Sequence, residues 1–129
     1  MSKFATAINC MDGRVQIPVI EHIKNNYGVV YVDMITAPGV NKLLAECEHI
    51  AIEAIKKCVE ISVNVHGSKL IAIVGHYGCA GNPTDKETQL KHILAAIKVV
   101  GSWGFNVKII GLWVNENWRV CEEFLFIHG

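Results

Sequence analysis

Leu70 to Val74 (LIAIV) is apolar at every position, and Val107 to Val114, following Gly104, repeats the pattern apart from Lys108. A strand with one face in water alternates apolar and polar residues, whereas a strand covered on both faces need not. Such runs suit sheets with helices packed on both sides, the arrangement of parallel strands joined by crossover helices. These two stretches therefore hold the chain to an α/β architecture.

The flanking segments agree. Lys3 to Asn9 alternates loosely and stops at Cys10-Met11-Asp12-Gly13-Arg14, as a strand end does. Val29 to Ile35 (VVYVDMI) is rich in β-branched residues and closes at the turn signal Thr36-Ala37-Pro38-Gly39. Between the strands lie helical patterns, the first from Pro18 to Asn26, with Pro18 tolerable in a first turn. From Glu46 to Val63, Cys47, Ile50, Ala54, Cys58 and Ile61 recur at three- and four-residue steps among Glu48, Glu53, Lys56, Lys57 and Glu60. On this reading Cys47 and Cys58 face the core. A further helix, capped by Thr84 or Asp85, carries Leu90, Ile93, Leu94, Ile97 and Val100. Strands alternate with helices, so the sheet is mostly parallel. Val120 to Ile127 is a last strand or the start of a helix, since a short apolar run does not decide between them.

The chain has the length of one domain, residues 1–129, and 51% hydrophobic against 19% charged residues is enough apolar material for a sizeable core. Lys plus Arg balance Asp plus Glu at 12 each and no basic run occurs, which argues against nucleic acid or a membrane surface as partner. The apolar stretch after Met1 to Lys3 breaks at Asp12, too soon for a secretory or transmembrane segment, so a cytoplasmic protein is expected. In that setting five cysteines, an odd count without a compact framework, point to core, metal or catalytic roles.

In an open α/β sheet, ligands bind beyond the carboxyl ends of strands, where strand order reverses. Two unusual clusters lie at such ends: Cys10, Asp12 and Arg14 after the first strand, His76 and Cys79 after the third. Two thiolates and one imidazole make a borderline-soft donor set that suits zinc, and three protein ligands leave a fourth position for water or substrate. A carboxylate beside that position can orient the bound water species, and Arg14, two residues after Asp12, can hold the carboxylate charged and in place. The Cys-x-Asp-x-Arg spacing therefore has a mechanical reading.

Cys10-Met11-Asp12-Gly13-Arg14 and His76-Tyr77-Gly78-Cys79 together resemble the signature of the β-carbonic anhydrase family, and the order of elements resembles it over roughly residues 3 to 115. The resemblance implies a single-domain, mostly parallel sheet of about four strands in the order 2-1-3-4, flanked by helices. It implies Zn2+ on Cys10, His76 and Cys79, with Asp12 and Arg14 serving the bound water. The implied activity is that of a lyase, the reversible hydration of carbon dioxide to bicarbonate by a zinc-bound hydroxide. A homodimer or higher homo-oligomer with the site near the interface is implied as well. Some members have a closed state in which the aspartate takes the fourth zinc position, and Asp12 could do the same. Two departures stand out: Ala80 follows Cys79 where the family usually has glycine, and Ile35-Thr36-Ala37-Pro38-Gly39 lacks an arginine often found there. Alternatives are hydrolysis of carbonyl sulfide or carbon disulfide on the same site, and a non-catalytic zinc-binding structural or regulatory module.

The remaining candidates read as structural. His22, His49, His66, His92 and His128 have no comparable company and are expected at the surface or partly buried. Tyr77, Trp113 and Trp118, near strand ends, are expected to pack rather than to line a pocket. Cys121 has no assigned role. Gly75-His76-Tyr77-Gly78 is not a dinucleotide fingerprint, and no Gly-rich loop with Lys-Ser or Lys-Thr follows a strand.

Overall fold

The computed structural model describes residues 2–127. Strand β1 (Phe4–Cys10) leads through a 3-10 turn (Gly13–Val15) into helix α1 (Gln16–Tyr27). Then follow β2 (Tyr31–Ala37), α2 (Val40–Ala45), α3 (His49–Glu60) with a closing π-helical turn (Ile61–Val65), and β3 (Leu70–His76). Helix α4 (Lys86–Gly101), β4 (Lys108–Val114) and β5 (Val120–Ile127) complete the chain. Asp85, not Thr84, caps α4, its carboxylate accepting from the Thr88 amide at 2.8 Å.

The strands form one sheet in the order β2-β1-β3-β4-β5. The first four are parallel in the expected order, and β5 runs antiparallel to β4. Residues 120–127 are thus a strand, and the sheet is one strand wider than the sequence predicts. Pairing of β1 with β3 joins Thr6 to Ile71, Ala7 to Ala72 and Ile8 to Ile73. Cys10 and His76 stand beyond that ladder, at the carboxyl ends of two adjacent strands where the order of the sheet reverses.

Both faces of the sheet are covered, as the unbroken apolar run of β3 requires. Ile71 and Ile73 join Ile8, Ile55, Val59, Ile93 and Ile97 under α3 and α4, while Leu70, Ala72 and Val74 join Val15, Val19, Ile23 and Leu112 under α1. Each fully buried Ile or Leu contributes about 1.5–3 kcal/mol, so these two clusters hold the helices on the sheet. No described helix is long and apolar enough to cross a membrane.

The segment expected as one helix over 46–63 is corrected, and its cysteines with it. Cys47 lies outside α3: it closes α2 with φ +54°, its N–H donating to the Leu44 carbonyl while the Glu48 N–H donates to that of Leu43. Cys47 and Cys58 are both exposed, as are Ile50 and Ile61. The buried face of α3 is instead Ile55 and Val59, with Ser62 of the π-helical turn beyond them. Apolar residues occupy a wider arc of this helix than one core face, and the spacing of Cys47, Ile50, Ala54, Cys58 and Ile61 picks out the half that stays in solvent.

Candidate metal centre

Cys10 ends β1, His76 ends β3, and Cys79 stands on the loop that follows. All three are buried, and their donor atoms lie within 4.8 Å of one another. The two Sγ atoms are 3.8 Å apart. Two sulfurs bound tetrahedrally at about 2.3 Å to one zinc ion would be separated by about 3.8 Å, so the spacing suits a shared ion. His76 Nδ1 lies 2.8 Å from the Tyr77 carbonyl oxygen, and that bond takes the ring N–H, leaving the lone pair on Nε2. Nε2 is buried without a hydrogen-bond partner among the described residues. A buried acceptor costs free energy until a ligand satisfies it, and here it converges with two thiols. The donor chemistry, the sulfur spacing and the orphaned nitrogen all fit zinc.

The protonation of the three groups points the same way. The hydrogen bond from Cys79, aided by His76, holds the Cys10 thiol well below the usual thiol range against the opposing effect of burial. The same contact with Cys10, together with burial, pushes the Cys79 thiol up. Burial opposes charge on His76, but the neighbouring Cys10 thiolate, the Tyr77 carbonyl bonded to its ring and the nearby Asp12 charge raise its pKa. A metal cation where the three donors converge would stabilise the negative charge concentrated on Cys10.

Asp12 and Arg14 form a two-pronged pair. Arg14 donates from Nε to Asp12 Oδ1 at 3.0 Å and from Nη2 to Oδ2 at 2.6 Å, and its backbone N–H donates to Oδ1 at 2.9 Å. These bonds, the side-chain ones foremost, pull the Asp12 carboxyl down to about 2. Arg14 also lies over the indole of Trp118, 4.5 Å from guanidinium carbon to ring centroid. Gln16 fastens the same loop, its Nε2 donating to the carbonyls of Cys10 at 2.7 Å and Asp12 at 2.8 Å.

Behind His76 lies a buried amide cluster. Gln89 donates from Nε2 to the His76 carbonyl at 2.8 Å and accepts from the His76 N–H at 3.2 Å. Its Oε1 also accepts from Asn41 Nδ2, and Asn41 Oδ1 accepts from Asn82. A Cβ at Gly75 would come within 2.9 Å of both Asn41 and Gln89, so only glycine admits these amides to the strand end.

A cavity of about 290 Å³ opens over the site, lined by Cys10, Met11, Asp12, Pro38, Ala80 and Gly81. A larger one of about 800 Å³ shares Cys79 and includes Tyr77, Trp113 and Cys121, but neither Cys10 nor Asp12 lines it. The smaller cavity is therefore the one that presents the carboxylate.

All five residues singled out from the sequence come together here. Gln16, Asn41, Asn82, Gln89 and the stacking role of Trp118 were not legible, because a polar residue in a helix or loop carries no mark of what it will bond. Trp113 is buried but also lines the larger cavity, as does the exposed Tyr77, so neither simply packs as expected. His49 and His66 are exposed and His22 and His92 half-buried, His66 bonded to Asp33 and His92 to Asn82. Cys121 is exposed, and His128 lies outside the described residues.

Comparison with known proteins gives a consistent picture. The sequence model of the family described as "Putative carbonic anhydrase" matches residues 1–122. No curated protein matches the sequence. Among solved structures, one of two tetrameric β-carbonic anhydrases of the filamentous ascomycete Sordaria macrospora superposes with a TM-score of 0.58 at 15% identity, covering 94% of this chain and 80% of that one. The β-carbonic anhydrase CafA of Aspergillus fumigatus gives 0.53 at 14% identity, covering 95% and 75%. The carbonic anhydrase of Glaciozyma antarctica gives 0.51 at 14% identity, covering 91% and 80%. At these identities the structures speak for the fold.

Proposed function

The chain belongs to the β-carbonic anhydrase family, and on that premise we propose that it catalyses the reversible hydration of carbon dioxide to bicarbonate with Zn2+ held by Cys10, His76 and Cys79. The observation that carries the reading is the Asp12–Arg14 pair standing beside a buried Cys/His/Cys cluster. A zinc ion at such a site supplies Lewis acidity that makes water a nucleophile near neutral pH.

The chain's own groups do the remaining work. Asp12, held ionised by Arg14, accepts a hydrogen bond from the nucleophile and turns its lone pair toward the substrate. Gln16 keeps Cys10 and Asp12 in fixed relation by bonding both carbonyls. Met11, Pro38 and Ala80 give the cavity an apolar wall, suited to a small uncharged gas. Bicarbonate carries a negative charge into a space that Asp12 also faces, and the repulsion favours its release. A homo-oligomer accompanies this reading, since a fold relative is described as tetrameric.

Stopped-flow carbon dioxide hydration on protein of known zinc content tests the proposal, at one pH near neutral and one about two units higher. Hydration well above the buffer rate, rising with pH and lost in a zinc-replete Asp12→Asn variant, supports it. No hydration at either pH despite stoichiometric zinc overturns it and moves the site to carbonyl sulfide, carbon disulfide or a non-catalytic role.

A further inference from the structure

We propose that Trp118 is a positioning residue that holds the Arg14 guanidinium on Asp12, so that the β4–β5 turn governs the geometry of the site. The proposal rests on the role given to Asp12 above. Arg14 is more than half exposed, at 54% of its side chain. An exposed ion pair by itself contributes little, because water competes and two side chains must be kept in one geometry. Something else must therefore order this one.

The guanidinium is met on two sides. Its edge donates to Asp12 through Nε and Nη2, and its face lies on the Trp118 ring, 4.5 Å from the centroid. A planar cation with a donating edge and a stacking face can satisfy both partners at once, which an ammonium cannot. Nη2 also reaches the Gly78 carbonyl at 3.4 Å, tying the arginine to the loop that carries Cys79.

Trp118 is itself built into place. Its φ is +59°, a left-handed conformation rare for a bulky residue and kept only where the surroundings impose it. Asn115 imposes it here, accepting at Oδ1 from the backbone N–H of Asn117 at 2.9 Å and of Arg119 at 3.0 Å. The Trp118 N–H donates to the Asn115 carbonyl at 2.9 Å, and the Asn115 N–H to the Arg119 carbonyl at 3.0 Å. The indole then packs against the cluster that contains Cys10, Val15 and Cys79. Backbone strain in a turn thus places an aromatic face over the one arginine of the site.

The test compares Trp118→Leu and Trp118→Phe with the parent, zinc-loaded for NMR and cobalt-loaded for visible absorption. The Arg14 Nε–H proton, shifted upfield by the indole, should move downfield in Trp118→Leu and only partway in Trp118→Phe. With Arg14 loosened, Asp12 is free to compete at the metal, and thiocyanate binding to the cobalt protein should weaken about threefold to tenfold in Trp118→Leu and be partly rescued by phenylalanine. An unchanged Arg14 resonance and unchanged thiocyanate affinity in Trp118→Leu overturn the proposal, even if thermal stability falls. Phenylalanine no better than leucine also overturns it. Should Trp118→Leu not fold, the comparison of Trp118→Phe with the parent decides. A parent that takes up cobalt but does not hydrate carbon dioxide sinks the proposed function, while the resonance and the thiocyanate titration still decide the role of Trp118.

Discussion

Gly39 and Gly81 meet backbone to backbone: a Cβ on Gly39 would lie 2.5 Å from the Gly81 carbonyl oxygen, and one on Gly81 would lie 2.5 Å from the Gly39 amide nitrogen. Gly39 also has φ +54° at the start of α2. The turn after β2 is therefore the seat on which the loop after Cys79 rests, and Ala80, which is exposed, is no part of the contact. Gly39→Ala and Gly81→Ala should each cost about 1–3 kcal/mol in urea unfolding and lower zinc occupancy. Ala80→Gly should change occupancy little.

Gln89 clamps both backbone groups of His76 from a fully buried position. Gln89→Leu keeps similar bulk but orphans the His76 N–H and carbonyl, at about 1–3 kcal/mol for each group left unsatisfied. Denaturant midpoints should fall accordingly, and zinc should transfer to a chelator faster than from the parent.

Cys47 occupies the left-handed closing position of α2, where glycine is the residue without steric penalty. Cys47→Gly should raise stability by about 0.5–1 kcal/mol in urea titration. A loss of stability would show that the thiol packs in a way its exposure denies.

Cysteine labelling separates the two populations. Cys47, Cys58 and Cys121 are exposed while Cys10 and Cys79 are buried. Native zinc-loaded protein should therefore take up iodoacetamide at the first three alone, by mass spectrometry, and at all five once unfolded with chelator. Cys10→Ala, His76→Ala and Cys79→Ala should each lose zinc, whereas serine at the exposed positions should retain it.

The pH dependence of the Asp12–Arg14 pair has a definite sign. Asp12 titrates at about 2 in the folded chain, below its ordinary 3.8. Its contribution to stability is complete above the ordinary value and is lost as pH falls through about 2. Arg14→Ala removes the hydrogen bonds that cause the shift, so the Asp12 carboxyl, followed by carbon-13 NMR, should titrate closer to 3.8.

The parallel core was readable because β3 buries every residue, and burial on both faces leaves its mark as an unbroken apolar run. Cys10, Asp12, Arg14, His76 and Cys79 could be singled out because their residue types cluster just beyond two strand ends, and the structure brings them together; their roles belong to the proposed function. Helix α3 misled, since Ile55 and Val59 recur at the same helical spacing as Ile50, Ala54 and Cys58, and spacing alone does not say which set turns inward. The role of Trp118 was hidden for a different reason: it depends on a positive φ set by hydrogen bonds of Asn115, and no residue pattern announces it.

The site joins Cys10 to Cys79 across 69 residues of sequence. Closing a loop of that length is slow and entropically unfavourable until β1 and β3 have paired and the intervening helices have docked. The full donor set therefore does not exist in a partly folded chain, which can offer a cation at most the adjacent His76 and Cys79. On the proposed function, tight zinc uptake becomes a clock for the last stage of folding, and a nascent chain stalled before β3 emerges presents Cys10 alone of the three ligands.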